Sequence, residues 1–496
     1  MNKIAYIFTV SFIVFMITSC EDFLDKKPLD MIGSDTELNE TDAVALINSA
    51  YQPLQWAKLY NMRMWTTDVI ANDSEVGGDM SSATDGIETK DLASFIATST
   101  NEGSLDLWRG PNPGILRCNV VLERVSEMGN IAPDLKNRIL GEAYFLRAHY
   151  YFIMVRIFGD VPMRTKVLVA GDDMKIARTP KDKVYEQIIS DCHNAINMLP
   201  PKSEYSSADL GRACKEAALA MLAKVYLTLN GNYAEVVSLC EQIESMGYDL
   251  STMRYEDNFG AARLKNGRES LFEIQYTGST QYSFWGNDNQ ASWMSTFQGP
   301  RNSDWVAGSW GWQHVKQEFV DQYETGDIRK DVTILYKDCP AFDGKEYNPS
   351  WSSTGYNLRK FLVPKSISPD YDTNPANFVV YRFADVLLMK SEALNELGQT
   401  REAQTPLNKV RARAGLQGIT TTDKAVMKEA IIKERRMELA FEGHRWFDLI
   451  RIDNGDYAVK FFHSIGRTNA TKERLLWPVP QEEIDSNPLN TQNPGY

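Results

Sequence analysis

The amino-acid sequence predicts a mainly α fold: a tetratricopeptide-like helical-repeat scaffold, a loop-rich irregular second half and a few short strands. Three observations carry this. Apolar residues recur at three- and four-residue steps in long runs between residues 115 and 245 and again after 382. Small and aromatic residues (Ala220, Ala223, Tyr226, Leu229, Tyr233, Ala234) sit where helical hairpins place their packing residues, although a strict 34-residue period is absent. Strand-like runs are few: Leu271 to Tyr276, Phe361 to Val363, and Val379 to Tyr381.

In chain order, Thr41 is expected to cap a helix with Val44, Ile47, Tyr51 and Leu54 on one face. Between Tyr60 and Gly110 the periodicity fails and Asn, Asp, Ser and Gly are dense, as in a long functional loop region. Helices resume at Ile115–Met128 and Leu135–Phe158. The second is apolar almost all round, hence central, and ends at Gly159. Thr179 as cap and Pro180 at the first turn are expected to open a helix running to Leu199. Helix pairs follow at Arg212–Leu229 with Tyr233–Ser245, and at Arg382–Leu397 with Pro406–Ala414. The last is expected to begin at Pro406, because proline inside a helix started at Thr400 would break it. Glu434 to Arg451 reads as one amphipathic helix with a ladder of short-range pairs: Arg435 with Glu438, Glu442 with Arg445, and Asp448 with Arg445 and Arg451. Gly443 inside it would mark close backbone packing.

The 496 residues, 43% hydrophobic and 24% charged, have ample core for a large globular unit. A net charge of −13 with no basic stripe argues against nucleic acid as a partner. Lys3, the apolar run Ile4–Ile17 and Cys20 read as a signal peptide over residues 1–19 followed by a lipid-modified cysteine, a membrane anchor. The other cysteines, Cys118, Cys192, Cys214, Cys240 and Cys339, are an odd, scattered set and read as small core residues.

The segment Gly278–Trp312 holds five of the eleven tryptophans: Trp285, Trp293, Trp305, Trp310 and Trp312, with Tyr282, Phe284 and Phe297. Asn287, Arg301 and other hydrogen-bonding side chains are interleaved, and Gly299-Pro300 and Gly308 to Gly311 put the rings on loops. A sugar offers an apolar C–H face and a rim of hydroxyls; indoles cover the face, and Asn, Asp, Gln or Arg meet the rim. Trp65 and Trp108 bracket the earlier loop zone, with Asn72 and Asp73 as polar candidates. Some of these rings are equally suited to anchoring loops. Catalytic motifs are missing: Gly308-Ser309-Trp310-Gly311 misses the nucleophile elbow by one position, and neither the His-Glu-x-x-His zinc motif nor a phosphate or dinucleotide loop occurs. His149, His193 and His444 fit packing or surface roles in helices, and His314 adjoins the aromatic cluster. No cofactor is expected; Asp370 with Asp372, or Asn72-Asp73-Glu75, leave calcium open.

Several strings resemble one family. ERRMELAFEGHRWFDLIR with the terminal LLWPVPQEEIDSNPLNTQNPGY, GEAYFLRAHYYFIMVRIFGDVP, RFADVLLMKSEALNELG, LNKVRARAGL and QEFVDQYETGDIRKDVTIL are similar to SusD/RagB proteins, surface lipoproteins of Bacteroidota that capture nutrients, mostly glycans. The resemblance implies a SusD-like helical region over 20–260 and a RagB/SusD C-terminal region over 261–496, packed as one unit. It also implies a ligand site drawn from the two loop zones, an outer-membrane location, and a SusC-like TonB-dependent transporter as the partner that the protein covers as a lid. A surface glycoside hydrolase, a helical scaffold for envelope assembly and a peptide-capturing member of the same family remain as alternatives.

Overall fold

The computed structural model describes residues 37–79, 82, 84–168, 171–260, 265–278 and 290–496. Among the described residues nine long helices form the scaffold: α1 Glu40–Tyr51, α2 Asn112–Arg124, α3 Pro133–Phe158, α4 Lys181–Met198, α5 Lys215–Thr228, α6 Tyr233–Ser245, α7 Phe383–Glu396, α8 Thr400–Arg413 and α9 Lys424–Glu438. From α1 to α8 each packs on the next, and α9 also lies on α7. The array passes directly from α6 to α7 although some 140 residues separate them, so the intervening chain is carried on the scaffold's flank. The fold is therefore mainly α and tetratricopeptide-like.

Helix α3 is the axis. From Ile139 onward nearly every side chain is buried, because α2 and α4 flank it. Each buried Leu, Ile or Phe there contributes about 1.5–3 kcal/mol. The buried guanidinium of Arg147 on this wall is satisfied across both neighbours: it donates to Asp191 on α4 at 2.7 and 2.8 Å and to Asn119 on α2 at 2.9 Å. His149 is held neutral in the same core, its pKa pulled down to about 3 by burial, with its ring against Tyr60 and Tyr381 hydroxyls. The cysteines at 118, 192, 214, 240 and 339 are buried free thiols. Among the described residues no helix is long and apolar enough to cross a membrane.

Local expectations fail in instructive places. The cap of α1 is Asn39, not Thr41, through a capping box with Asp42. Thr179 bridges to Val161 instead of capping α4, leaving Pro180 just before the helix. Pro406 lies inside α8, which starts at Thr400. The hydrogen bond it deletes is outweighed by burial of Ala403, Pro406, Leu407 and Val410 against the array. Phe361–Val363 is buried but forms no strand, whereas the other two candidates are strands, Ser270–Ile274 (β2) and Phe378–Arg382 (β6), and they pair antiparallel. Four strands went unforeseen: β1 Ser74–Val76, β3 Gln313–Val315, β4 Ile334–Leu335 and β5 Asn357–Leu358, in the order β1-β3-β5-β4. At two or three residues each they carry no legible alternation.

The stretch 434–451 is two helices, not one. Helix α9 stops at Glu438, the chain reverses through Phe441 (φ 61°) and Gly443 (φ 75°), and a helix resumes at Arg445–Arg451. Gly443 is there for its left-handed backbone, since a Cβ would meet nothing nearer than 3.7 Å. Of the expected short-range pairs, only Asp448–Arg451 (2.8 Å) forms among the described residues. The other charges are buried, and all but Arg445, which lies over the Phe461 ring, take part in ion pairs, most of them with residues far along the chain. Glu438 lies between Arg329 (2.9 Å), Arg382 (2.5 Å) and Arg413. Glu442 pairs with Lys360 and Arg382, both at 2.7 Å. Arg435 joins Asp448 (2.9 Å) to Asp385 (3.0 Å). Burial alone would raise the Glu438 carboxyl; Arg413, Arg382 and Arg329 override it and hold the group well below the usual carboxylate range. Arg436 reaches Asp73 (2.7 Å) and Glu318 (2.8 Å), and the Gly443 N–H donates to Asp68 (3.3 Å), so this stretch also fixes the segment leading into β1.

A candidate ligand cleft between two loop zones

The antiparallel pairing of β1 with β3 (Ser74 opposite Val315, Val76 opposite Gln313) brings the 60–110 zone onto the aromatic segment. The pairing continues past the strands: the Gly77 N–H donates to the Trp312 carbonyl (2.8 Å) and Gly78 to that of Gly311 (2.6 Å). A Cβ on Gly77 would lie 2.1 Å from the Gly311 oxygen, so only glycine permits this approach. Opposite, a short helix at Met294–Gln298 accepts the Trp310 N–H on Thr296 and the Trp312 N–H on Phe297, both at 2.9 Å. Buried Asn61 secures the start of that helix, donating to the Ala291 carbonyl (2.9 Å) and accepting the Trp293 N–H (2.6 Å).

These contacts shape a cleft of about 670 Å³, within the range typical of small-molecule sites. Its apolar wall is Trp65, Phe297, Trp310 and Trp312 with Met62; its polar lining is Arg63, Asp79, Asp85, Glu88, Glu102 and Arg301. Trp312 stacks on Phe297 with ring centres 5.3 Å apart and planes 7° from parallel, and Trp65 meets both rings edge-on. Trp310 and Trp312 are half-buried, whereas Trp65 is nearly sealed. Arg63 donates to Glu88 (2.6 Å) and Asp106 (2.7 Å); burial opposes its charge, and the two carboxylates outweigh burial and raise its pKa. Asp85 accepts the Asp79 N–H (2.7 Å) on this side of the cleft.

The structure sorts the residues expected to bind. Trp65, Arg301, Trp310 and Trp312 converge on the cleft. Trp293 is buried behind Trp310 (5.7 Å between rings) and carries the exposed Tyr371 on its other contact (5.0 Å). Trp108 does not line the cleft; it is sealed against Phe158. Nor does Trp305, which belongs to a separate small core with Phe342, Tyr347 and Trp351. Asn72 accepts from Lys316 (2.8 Å) and Asp73 from Arg436 (2.8 Å), both buried below the sheet's entry and apart from the cleft lining. Tyr282, Trp285, Asn287 and Cys20 lie outside the described residues. His314 is buried on β3 beside Ser353 (2.8 Å), with burial pulling its pKa to about 4, so it is neutral at physiological pH. Asn61, Arg63, Asp79, Asp85, Glu88 and Glu102 were not among the expected residues; the paired glycines at 77 and 78 are the local signal in the sequence that could mark a close approach there. No group of three or more His, Cys, Asp or Glu among the described residues is arranged to hold a metal ion. With Asn72 and Asp73 engaged by cations, and Glu75 accepting from Ser353 (2.9 Å), that run is committed to the fold.

Comparison with known proteins accounts for nearly the whole chain. Residues 268–496 match the family model described as the SusD family, and residues 22–227 match one described as starch-binding associating with outer membrane. SusD-like protein P38 of Formosa agariphila is 28% identical over 533 residues, covering 100% of this chain and 99% of that protein. A SusD-like protein of Bacteroides ovatus is 26% identical, covering 88% of this chain and 80% of its own length. Among solved structures, a laminarin binding SusD-like protein superposes with a TM-score of 0.79 at 28% identity, covering 93% of this chain and all of that one. Surface glycan-binding protein A from Bacteroides thetaiotaomicron, in complex with laminarihexaose, shares the fold at a TM-score of 0.76 and 24% identity, with 91% and 99% covered. From its scaffold, its sequence strings and these matches, the chain belongs to the SusD/RagB family and to the outer-membrane-associated proteins that the family comprises.

Proposed function

We propose that the cleft lined by Trp65, Phe297, Trp310 and Trp312 captures an oligosaccharide at the cell surface and passes it to a SusC-like TonB-dependent transporter. The protein would be held by lipid on Cys20 and act as the transporter's lid. The observation that carries the binding reading is two half-exposed indoles beside a rim of carboxylates and a guanidinium, in one cleft built from both loop zones. Rings cover sugar faces by area and dispersion, and the rim accepts from hydroxyls. The laminarin-binding relative at 28% identity supports the ligand class.

Capture needs no chemistry, and the placement of perturbed acids agrees. Among the described residues, the carboxyls that burial pushes upward, Asp68, Asp73, Glu142, Asp191 and Glu434, lie away from the cleft lining. The test is the double variant Trp310→Ala/Trp312→Ala against a glycan array and by calorimetry. Binding should fall at least roughly tenfold, as expected when two stacking platforms of about 1 kcal/mol or more each are lost. The thermal midpoint should move by only a few degrees. Unchanged affinity in a folded double variant would refute the site, and turnover of a bound oligosaccharide would favour a hydrolase. Co-purification of a large barrel protein in mild detergent tests the transporter partner.

A further inference from the structure

The charge of the cleft narrows the glycan reading, and the inference rests on that reading. Four carboxylates line it, from Asp79, Asp85, Glu88 and Glu102, against the guanidinium groups of Arg63 and Arg301. Neither cation is uncommitted. Arg63 is buried and divided between Glu88 and Asp106. Arg301 donates to the Trp310 carbonyl (3.3 Å) and has Asp79 at 3.7 Å. The acids predominate at the opening: Glu102 is exposed and the Asp79 side chain is 47% exposed, beside Arg301 at 35%. The chain as a whole carries −13.

We propose that the cleft is charge-selective: it takes uncharged oligosaccharides and rejects chains whose sugar units carry sulfate or carboxylate. A hydroxyl approaching Trp310 and Trp312 can donate to a carboxylate oxygen. An anionic substituent in the same place loses hydration, meets carboxylates, and finds among the described lining residues no cation that is not already shared. The low-dielectric aromatic wall strengthens that repulsion by focusing the field into the cleft.

The test measures binding of the whole protein to neutral glucan, mannan, galactan and xylan oligosaccharides, and to sulfated, carboxymethylated and hydroxyethylated forms of each. For any neutral chain that binds, the charged forms should bind roughly tenfold or more weakly. The uncharged hydroxyethyl form controls for bulk and should lose less. Raising salt from about 20 to about 500 mM should narrow the gap, because the screening length falls to a few ångströms. The double variant Asp79→Asn/Glu102→Gln should reduce the neutral-to-charged ratio several-fold. The inference is overturned if a charged form binds as well as its neutral parent. It is also overturned if the gap ignores salt and is matched by the hydroxyethyl form. If no chain of either kind binds, the glycan reading itself fails and takes this one with it.

Discussion

The aromatic cleft and the ion network around Glu438 are both dense in the residue types that suggest chemistry, yet they are built in opposite ways. In the cleft, main-chain hydrogen bonds hold the loops: Gly77 to Trp312, Trp310 to Thr296, Trp312 to Phe297. Its side chains are thereby left half-open to a ligand. In the network the side chains do the holding. Arg382 alone joins Glu269, Glu438 and Glu442, all buried, and ties β6 and the start of β2 to the end of α9. One region spends backbone contacts to keep side chains available; the other spends side chains to keep the backbone in place. Density of charge in the sequence therefore marks assembly here, and density of aromatic rings marks the surface that assembly presents.

The sharpest way to break this comparison is Arg382→Ala. It removes a shared cation from three buried carboxylates at once, leaving Glu269 to Arg413, Glu438 to Arg413 and Arg329, and Glu442 to Lys360, and losing one partner of a buried pair already costs about 3–5 kcal/mol. The loss should lie at the top of that range or beyond, read from the urea midpoint or as failure to accumulate folded protein. A loss below about 1 kcal/mol would class the network with ordinary surface pairs.

Arg436→Ala asks whether the two regions communicate. Arg436 is the cation on Asp73, which stands one residue before β1. Burial pushes the Asp73 carboxyl upward and Arg436 restrains it, so the variant leaves a buried acid to protonate or rearrange. A cost of about 3 kcal/mol is expected. Glycan affinity of the folded fraction should also weaken several-fold, because β1 sets the Gly77–Trp312 contact. Full affinity at reduced stability would show that the cleft holds its shape without the network.

The helices were legible because their periodic runs are long: α3, α6 and α7 follow from their spacing and packing residues, and α4 from the prolines at either end although Thr179 does not cap it. The breaks were not. Nothing local to Gly443 distinguishes a helix interior from a reversal at φ 75°, and Pro406 sits in α8 because the array supplies burial that sequence spacing does not report. The aromatic segment announced itself by composition, but composition does not say which ring faces out. Trp305 found Phe342, Tyr347 and Trp351 in its own small core, and Trp108 found Phe158. Trp310 and Trp312 were left at the cleft by strands only two or three residues long. The cleft's acids, Asp79, Asp85, Glu88 and Glu102, come from a zone whose position depends on that same pairing.

The smallest expected effect separates buried charge from exposed charge within the network. Glu324 lies at its outer edge, 38% exposed, accepting two hydrogen bonds from Arg411 at 2.9 Å with Lys433 at 3.5 Å. The Arg411 hydrogen bond is the main cause that draws its pKa down to about 2, against a partial burial that would raise it. Because the folded value lies below the unfolded one, near 4.3, the pair stabilises the protein above that pH. The stabilisation is lost as pH falls from there through about 2. Solvent screening keeps the contribution below about 1 kcal/mol. Glu324→Gln should therefore show a small, constant deficit in urea midpoint above about pH 5, closing as the pH approaches 2, while the buried carboxyls of Glu438 and Asp448 remain ionised in both proteins until they unfold. A deficit that persists unchanged at low pH would assign the effect to packing of the Glu324 stem, and would remove the outermost pair from the electrostatic account of the network.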